Sequence, residues 1–153
     1  MINYYFWIVK NSIPIEILSI ENNGFHIFTS LTIHGKQIRM LIDTGASKTT
    51  FDKKRIRNFI RQKRFRKYDE MLTAFGSKKI QGHFVCIEDL WLGKFLVKNY
   101  NAALFDLENI NKIYRSIGVK QIDGILGGDL LVDYNAEINY RNKILSFTLT
   151  DAK

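Results

Sequence analysis

The chain has 153 residues, of which 46% are hydrophobic and 25% charged, the size and composition of one ordinary globular domain. One proline and ten glycines exclude a collagen-like or Pro/Gly-rich disordered chain. A single cysteine, Cys86, excludes an intrachain disulfide framework and a thiolate zinc site, and His26, His34 and His83 lie too scattered for a histidine-based metal centre, so no metal and no cofactor are expected.

The first twenty residues, MINYYFWIVKNSIPIEILSI, are apolar but make a poor secretion signal. No basic segment precedes the apolar run, Lys10 and Glu16 interrupt it, and no small-residue cleavage pattern follows. No later stretch approaches the roughly 18 apolar residues of a membrane span, so a cytoplasmic protein is expected. Residues 1–12 read as an N-terminal extension and residues 13–150 as one domain.

From Ile13 to Ile42, β-branched and aromatic residues with turn signals at Asn22-Asn23-Gly24 and His34-Gly35-Lys36 predict three strands. The last two, Phe25–Ile33 and Gln37–Ile42, pair as a hairpin whose second strand runs straight into Asp43. Ile56, Phe59 and Ile60 then predict a short amphipathic helix with basic residues facing solvent. The surrounding segment, KKRIRNFIRQKRFRK from Lys53 to Lys67, carries nine lysines and arginines and no acid, more than the whole chain's net charge of +8. Met71 to Val85 reads as a hairpin with a glycine-containing tip able to fold over a cleft. Val85–Asp106 is a strand pair turning at Leu92-Gly93-Lys94, and Asn109–Ile117 a helix stopped by Gly118. Gly124–Gly128 leads into a helical turn over Asp129–Tyr134, and Glu137–Thr148 closes the chain as a hairpin.

The chemically informative stretch is Met40-Leu41-Ile42-Asp43-Thr44-Gly45-Ala46-Ser47. An apolar run ending in a carboxylate implies a buried acid, which costs several kcal/mol unless its surroundings stabilise or neutralise it. Gly45 permits close approach of backbone, and the Thr44 hydroxyl can both donate and accept, so the loop is suited to hold a carboxylate at the base of a cleft.

With Ile125-Leu126-Gly127 following about eighty residues later, this stretch resembles the retropepsin-like aspartic proteases, especially their small bacterial members, over roughly Ile13 to Thr150. The resemblance implies a mostly β fold, a closed antiparallel β-barrel with short helices. It implies that Asp43 is the catalytic carboxylate of an endopeptidase acting on peptide or protein substrates. It further implies that Thr44 and Gly45 support the active loop, and that Ala46, Phe75, Gly76, Ile125 and Gly127 belong to the cleft or flap. Because the chain has one Asp-Thr-Gly, a homodimer would supply the second carboxylate, with no metal and no covalent intermediate. One departure is that Gly128-Asp129 stands where viral members carry an arginine that braces the dimer.

Other readings stay open. Asp43 is also suited to a plain turn or cap, and the fold can persist in a catalytically inactive binding module. The basic run suits nucleic acid, an anionic surface or acidic substrates, or a simple solvated face. Asp123 and Asp129 read as local turn or cap residues, Asp129 alternatively bonding across an interface, and Cys86 as a small buried hydrophobe.

Overall fold

The computed structural model describes residues 8–20, 24–61, 66–72 and 80–150. Among the described residues there are ten strands: β1 (Ile8–Ile20), β2 (Gly24–Ile33), β3 (Lys36–Ile42), β4 (Thr50–Asp52), β5 (Arg66–Leu72), β6 (Ile80–Leu92), β7 (Phe95–Phe105), β8 (Gly124–Leu126), β9 (Glu137–Asn139) and β10 (Ile144–Thr150). Two helices join them, α1 (Glu108–Ser116) and α2 (Gly128–Asp133), with a 3₁₀ turn at Arg55–Asn58.

Strand β3 pairs with β2, β2 with β6, β6 with β7, β7 with β4, β4 with β8, and β8 again with β3, which closes a six-stranded barrel. The fold is therefore mostly β and closed, as the sequence led us to expect. Two of the pairings, β3 with β8 and β4 with β7, are parallel. Outside the ring, β5 extends β6, while β1, β10 and β9 continue from β2.

The hairpin of β2 and β3 follows from its turn. His34 and Gly35 sit at φ 47° and 76°. A two-residue hairpin turn of this hand requires positive φ at both central positions, which glycine adopts without strain. Register then pairs Phe28 with Leu41 and Ile33 with Lys36.

Strand β1 changes partner midway. Ile8–Pro14 pair with β10, and Ile15–Ile20 with β2. The chain's one proline sits at this changeover, where the N–H it lacks is least needed by a continuous ladder. Residues 8–12 of the stretch set apart in sequence as an extension thus lie within the sheet, opposite Ser146–Thr150.

Alternation along β3 separates two cores. Ile38, Met40 and Ile42 enter the main cluster with Leu31, Ile33, Phe51, Leu126 and Phe147. Leu41 turns to the other face, where Phe28, Leu107, Tyr114 and Ile122 form a second cluster beneath α1. Helix α1 buries Tyr114 and Asn111 and leaves its remaining face to solvent. The Asn111 side chain bonds both the N–H and the carbonyl of Ile122, clamping the loop that leads into β8.

Three sequence expectations need correction. Cys86 is exposed, not buried. It shares the outward parity of Glu88 on β6, whereas Val85 and Ile87 point inward. The basic residues after Lys53 do not all face solvent: Arg55 turns inward to a buried carboxylate, at 2.7 Å from Asp123. The Ile56–Ile60 segment forms only a single 3₁₀ turn, which still buries Ile56. Phe75 and Gly76, the expected flap tip, lie outside the described residues, although β5 and β6 do pair antiparallel on either side. Among the described residues, no helix is long and apolar enough to cross a membrane.

Candidate active site

The parallel pairing of β3 and β8 brings the two signature segments together. Met40 stands opposite Gly124, Leu41 opposite Ile125, and Ile42 opposite Leu126. One step beyond, the N–H of Asp43 donates to the carbonyl of Leu126 at 3.0 Å. Both strands therefore end at one level, and the loops that follow, 43–49 and 127–128, lie side by side.

Asp43 itself is exposed in the single chain, contrary to the burial its apolar neighbours suggested. Ile42 is the last residue drawn into the core, and the backbone then turns, lifting the carboxylate clear of it. Its Oδ1 accepts the N–H of Gly45 at 2.9 Å, and its carbonyl accepts that of Ala46 at 3.2 Å. These local bonds hold the carboxylate outward. The Thr44 side chain is exposed, with no hydrogen-bond partner among the described residues. The Ile125 side chain packs with Leu41 against the second cluster, away from the main core.

The two loops are locked by main-chain bonds and one hydroxyl. Gly128 donates its N–H to the carbonyl of Ala46 at 2.7 Å. Gly127 donates to Thr49 Oγ1 at 2.9 Å. A Cβ on Gly127 would stand 2.6 Å from the carbonyl carbon of Lys48 and 2.7 Å from its oxygen, closer than van der Waals contact permits. Glycine is required there by the approach of the two backbones.

Asp129 completes the lock. Its Oδ1 accepts both the N–H and the hydroxyl of Thr49, at 2.7 and 2.8 Å, and its Oδ2 accepts the Tyr100 hydroxyl at 2.6 Å. Burial pushes the Asp129 carboxyl upward, but the bonds from Tyr100 and Thr49 and the Leu130 N–H outweigh it and hold its pKa below the usual range. Tyr100 moves the opposite way: burial first, then the bond to Asp129, raise its phenol well above 10.0. Lys48 adds little, with its ammonium 3.9 Å from Asp129 and mostly in solvent.

Asp123, read from sequence as a turn residue, is buried. It accepts the N–H of Arg39 on Oδ2 at 2.8 Å and the Arg55 guanidinium on Oδ1 at 2.7 Å. Asp52 is buried as well and accepts three backbone N–H groups, from Lys54, Arg55 and Leu107. Thr49, Tyr100 and Asp52 were not singled out in the sequence, and Arg55 was read only as a member of the basic run. Their bonds span from 29 to 80 positions for the Thr49–Asp129–Tyr100 set, and local patterns carry no signal for such partners.

All four oxygens of Asp123 and Asp129 thus have donors already. Among these acids near the signature segments, Asp43 alone presents its carboxylate outward. Among the described residues, no group of three His, Cys, Asp or Glu side chains is placed to hold a metal ion.

Comparison with known proteins agrees with this geometry. Residues 29–130 match the family model described as aspartyl protease. The fold is shared with a retropepsin-like aspartic protease from Rickettsia conorii, at a TM-score of 0.56 and 17% identity over 98% of each chain. It is shared also with the retroviral protease-like domain of Ddi1 from Leishmania major, at a TM-score of 0.52 and 12% identity over 78% of this chain and 86% of that one. Comparison with curated protein sequences gives no significant match.

Proposed function

Because this chain belongs to the aspartyl protease family, we propose that it is an aspartic endopeptidase, active as a homodimer in which Asp43 of one copy faces Asp43 of the other. The observation that carries the reading is the outward carboxylate of Asp43, braced by Gly45 and by the strand pairing beneath it. The other acids beside it, Asp123 and Asp129, are committed to bonds within the fold. A second carboxylate must then come from a second chain, and a two-fold axis delivers the same residue.

Two carboxylates a few ångströms apart cannot both ionise readily, which is the established logic of aspartic proteases. They hold one proton between them. The ionised Asp43 takes a proton from water as the water attacks the peptide carbonyl, while the protonated Asp43 hydrogen-bonds the carbonyl oxygen. Thr44, exposed and with no side-chain hydrogen bond among the described residues, is placed to bond across the axis. Gly45, Ala46 and Gly127 border the cleft, and Phe75 and Gly76 are proposed to cap it. Ile125 serves through its backbone, since its side chain packs elsewhere. Residues 13–150 are the proposed catalytic domain, with 1–12 as an N-terminal extension.

The test is Asp43→Asn. Peptide cleavage should fall about 10³-fold, the order of effect expected for losing a general base or acid. Thermal stability should hold, because the carboxylate is exposed in the single chain. A parent-like cleavage rate would overturn the enzymatic reading, and a monomer in sedimentation at micromolar concentration would overturn the dimer.

A further inference from the structure

A second polar hollow lies on the α1 side of β3. It is a groove of about 510 Å³ whose lining includes Arg39, Arg55, Arg115, Lys120, Gln121 and Asp123. Arg39 precedes Asp43 by four residues on the strand, about 13 Å of extended chain, so the groove is separate from the proposed catalytic loop. Four cationic side chains and one carboxylate line it, a formal charge of +3 (four minus one). Glu16 and Glu108, outside the lining, offset two of those charges by pairing with Arg39 and Arg115.

The donors left over are what mark the groove. Arg39 lies over Phe28, with its guanidinium carbon 4.3 Å from the ring centre and Nη1 on Glu16. Its Nε is buried and has no hydrogen-bond partner among the described residues. A buried N–H left without an acceptor is a standing cost to the fold, and native structures seldom tolerate one without a reason. The one carboxylate in the lining does not relieve it, because Asp123 accepts from the Arg39 backbone and from Arg55 Nε. Arg55 spends Nη1 on Gln121 and Arg115 spends Nη2 on Glu108, which leaves further guanidinium N–H groups on both. Lys120 is exposed at the rim and makes no ion pair among the described residues.

We propose that this groove binds a small oxyanion, a phosphate or carboxylate group. The volume is in the range of small-ligand sites. Guanidinium forks match the paired oxygens of both groups, and an arginine held over an aromatic ring by a cation–π contact has already given up much of its freedom. A small anion is favoured over a polyanionic strand, because the cations are gathered in one hollow of about 510 Å³ and two of its arginines are already paired with Glu16 and Glu108, which leaves too little net charge for a chain of phosphates.

The experiment uses the full chain and three salts at matched ionic strength: inorganic phosphate, succinate and chloride. Amide chemical shifts are followed during titration. Saturable shifts at Arg39, Val119, Lys120 and Gln121 with phosphate or succinate, and not with chloride, support the proposal, and the more effective of the two salts identifies the source of the oxyanion. Replacing both rim residues, Arg115→Ala with Lys120→Ala, should weaken that binding at least tenfold. Both are exposed, so the variant should fold as the parent does. A control pair, Lys54→Ala with Arg57→Ala, lies outside the lining and should bind as the parent. Equal shifts with chloride, shifts confined to Lys53–Arg61, or unchanged affinity in the rim variant would each overturn the assignment.

Discussion

The Tyr100 hydroxyl donates to Oδ2 of Asp129 at 2.6 Å, and through that carboxylate the middle of β7 is tied to both loops beside Asp43. The phenol and the two Thr49 donors together satisfy a carboxylate whose side chain is only 12% exposed. Removing one donor should loosen the base of the proposed site without touching Asp43. Tyr100→Phe should cost about 2 kcal/mol, the usual worth of a hydrogen bond to a charged group. For a domain of this size that is a fall in melting temperature of roughly 4–8 °C. A melting temperature unchanged within error would show that the tie carries no load.

The same pair sets a pH signature. Asp129 has its folded pKa below the usual carboxylate value, so its contribution is present above that value and is lost as acid protonates the folded carboxyl. Tyr100 is raised, so its contribution is intact below 10.0 and declines as the unfolded phenol ionises above that pH while the folded one does not. In Tyr100→Phe the alkaline decline attributable to this group should vanish, and acid unfolding should begin at higher pH because Asp129 has lost a bond that favours its charged form. Chemical denaturation across pH measures both limbs, and an alkaline limb identical in the two proteins would contradict the assignment.

Much of the framework was readable from the residues. The β2–β3 hairpin, the strand pair turning at Gly93, helix α1 and the closing hairpin all announce themselves through local alternation and turn residues. The ties at the site did not. Asp52, Asp123 and Asp129 each sit where a turn aspartate would, and nothing local distinguishes a carboxylate that caps its own turn from one that reaches Leu107, Arg55 or Tyr100. Cys86 is a different case, because its parity with Glu88 on β6 was available and would have placed it outside.

Neighbouring glycines should respond in opposite ways to alanine. At Gly127 the new methyl would meet the Lys48 carbonyl at 2.6–2.7 Å and the Ala46 oxygen at 2.9 Å, all backbone. That collision should cost about 3 kcal/mol and separate the two loops, with loss of activity beyond the loss of stability. At Gly128 the nearest atom is the Ala46 oxygen at 3.4 Å, an ordinary contact, in the first turn of α2. Gly128→Ala should be neutral or stabilising by up to about 1 kcal/mol, since alanine favours helix over glycine. Equal effects at the two positions would refute this account of the loop contact.

Asp123→Ala should be more damaging than its distance from Asp43 along the sequence suggests. It strands the Arg55 guanidinium and the Arg39 N–H together. Breaking such a pair costs about 3 kcal/mol, toward the low end because the Arg55 side chain is 33% exposed and can rehydrate. Asp123→Ala combined with Arg55→Met, which removes the carboxylate and the guanidinium together, should be milder than Asp123→Ala alone. The order of the two melting temperatures checks the point, and a double variant less stable than the single one would show that the stranded guanidinium carries no cost.

The proposed dyad makes one prediction that a single-chain enzyme cannot share. If each active site draws one Asp43 from each of two copies, an Asp43→Asn chain poisons every parent chain with which it pairs. Equal amounts of the two, unfolded and refolded together, should leave only about one quarter of the dimers fully parental when pairing is random. Activity per milligram of total protein should then fall to about a quarter of the parent's, not to the half expected from simple dilution. Because Asp43 is exposed and lies outside the Asp129 lock, the substitution should not bias the pairing. A linear dependence of activity on the parent fraction would mean that each chain works alone, and the second carboxylate would have to be sought within one chain.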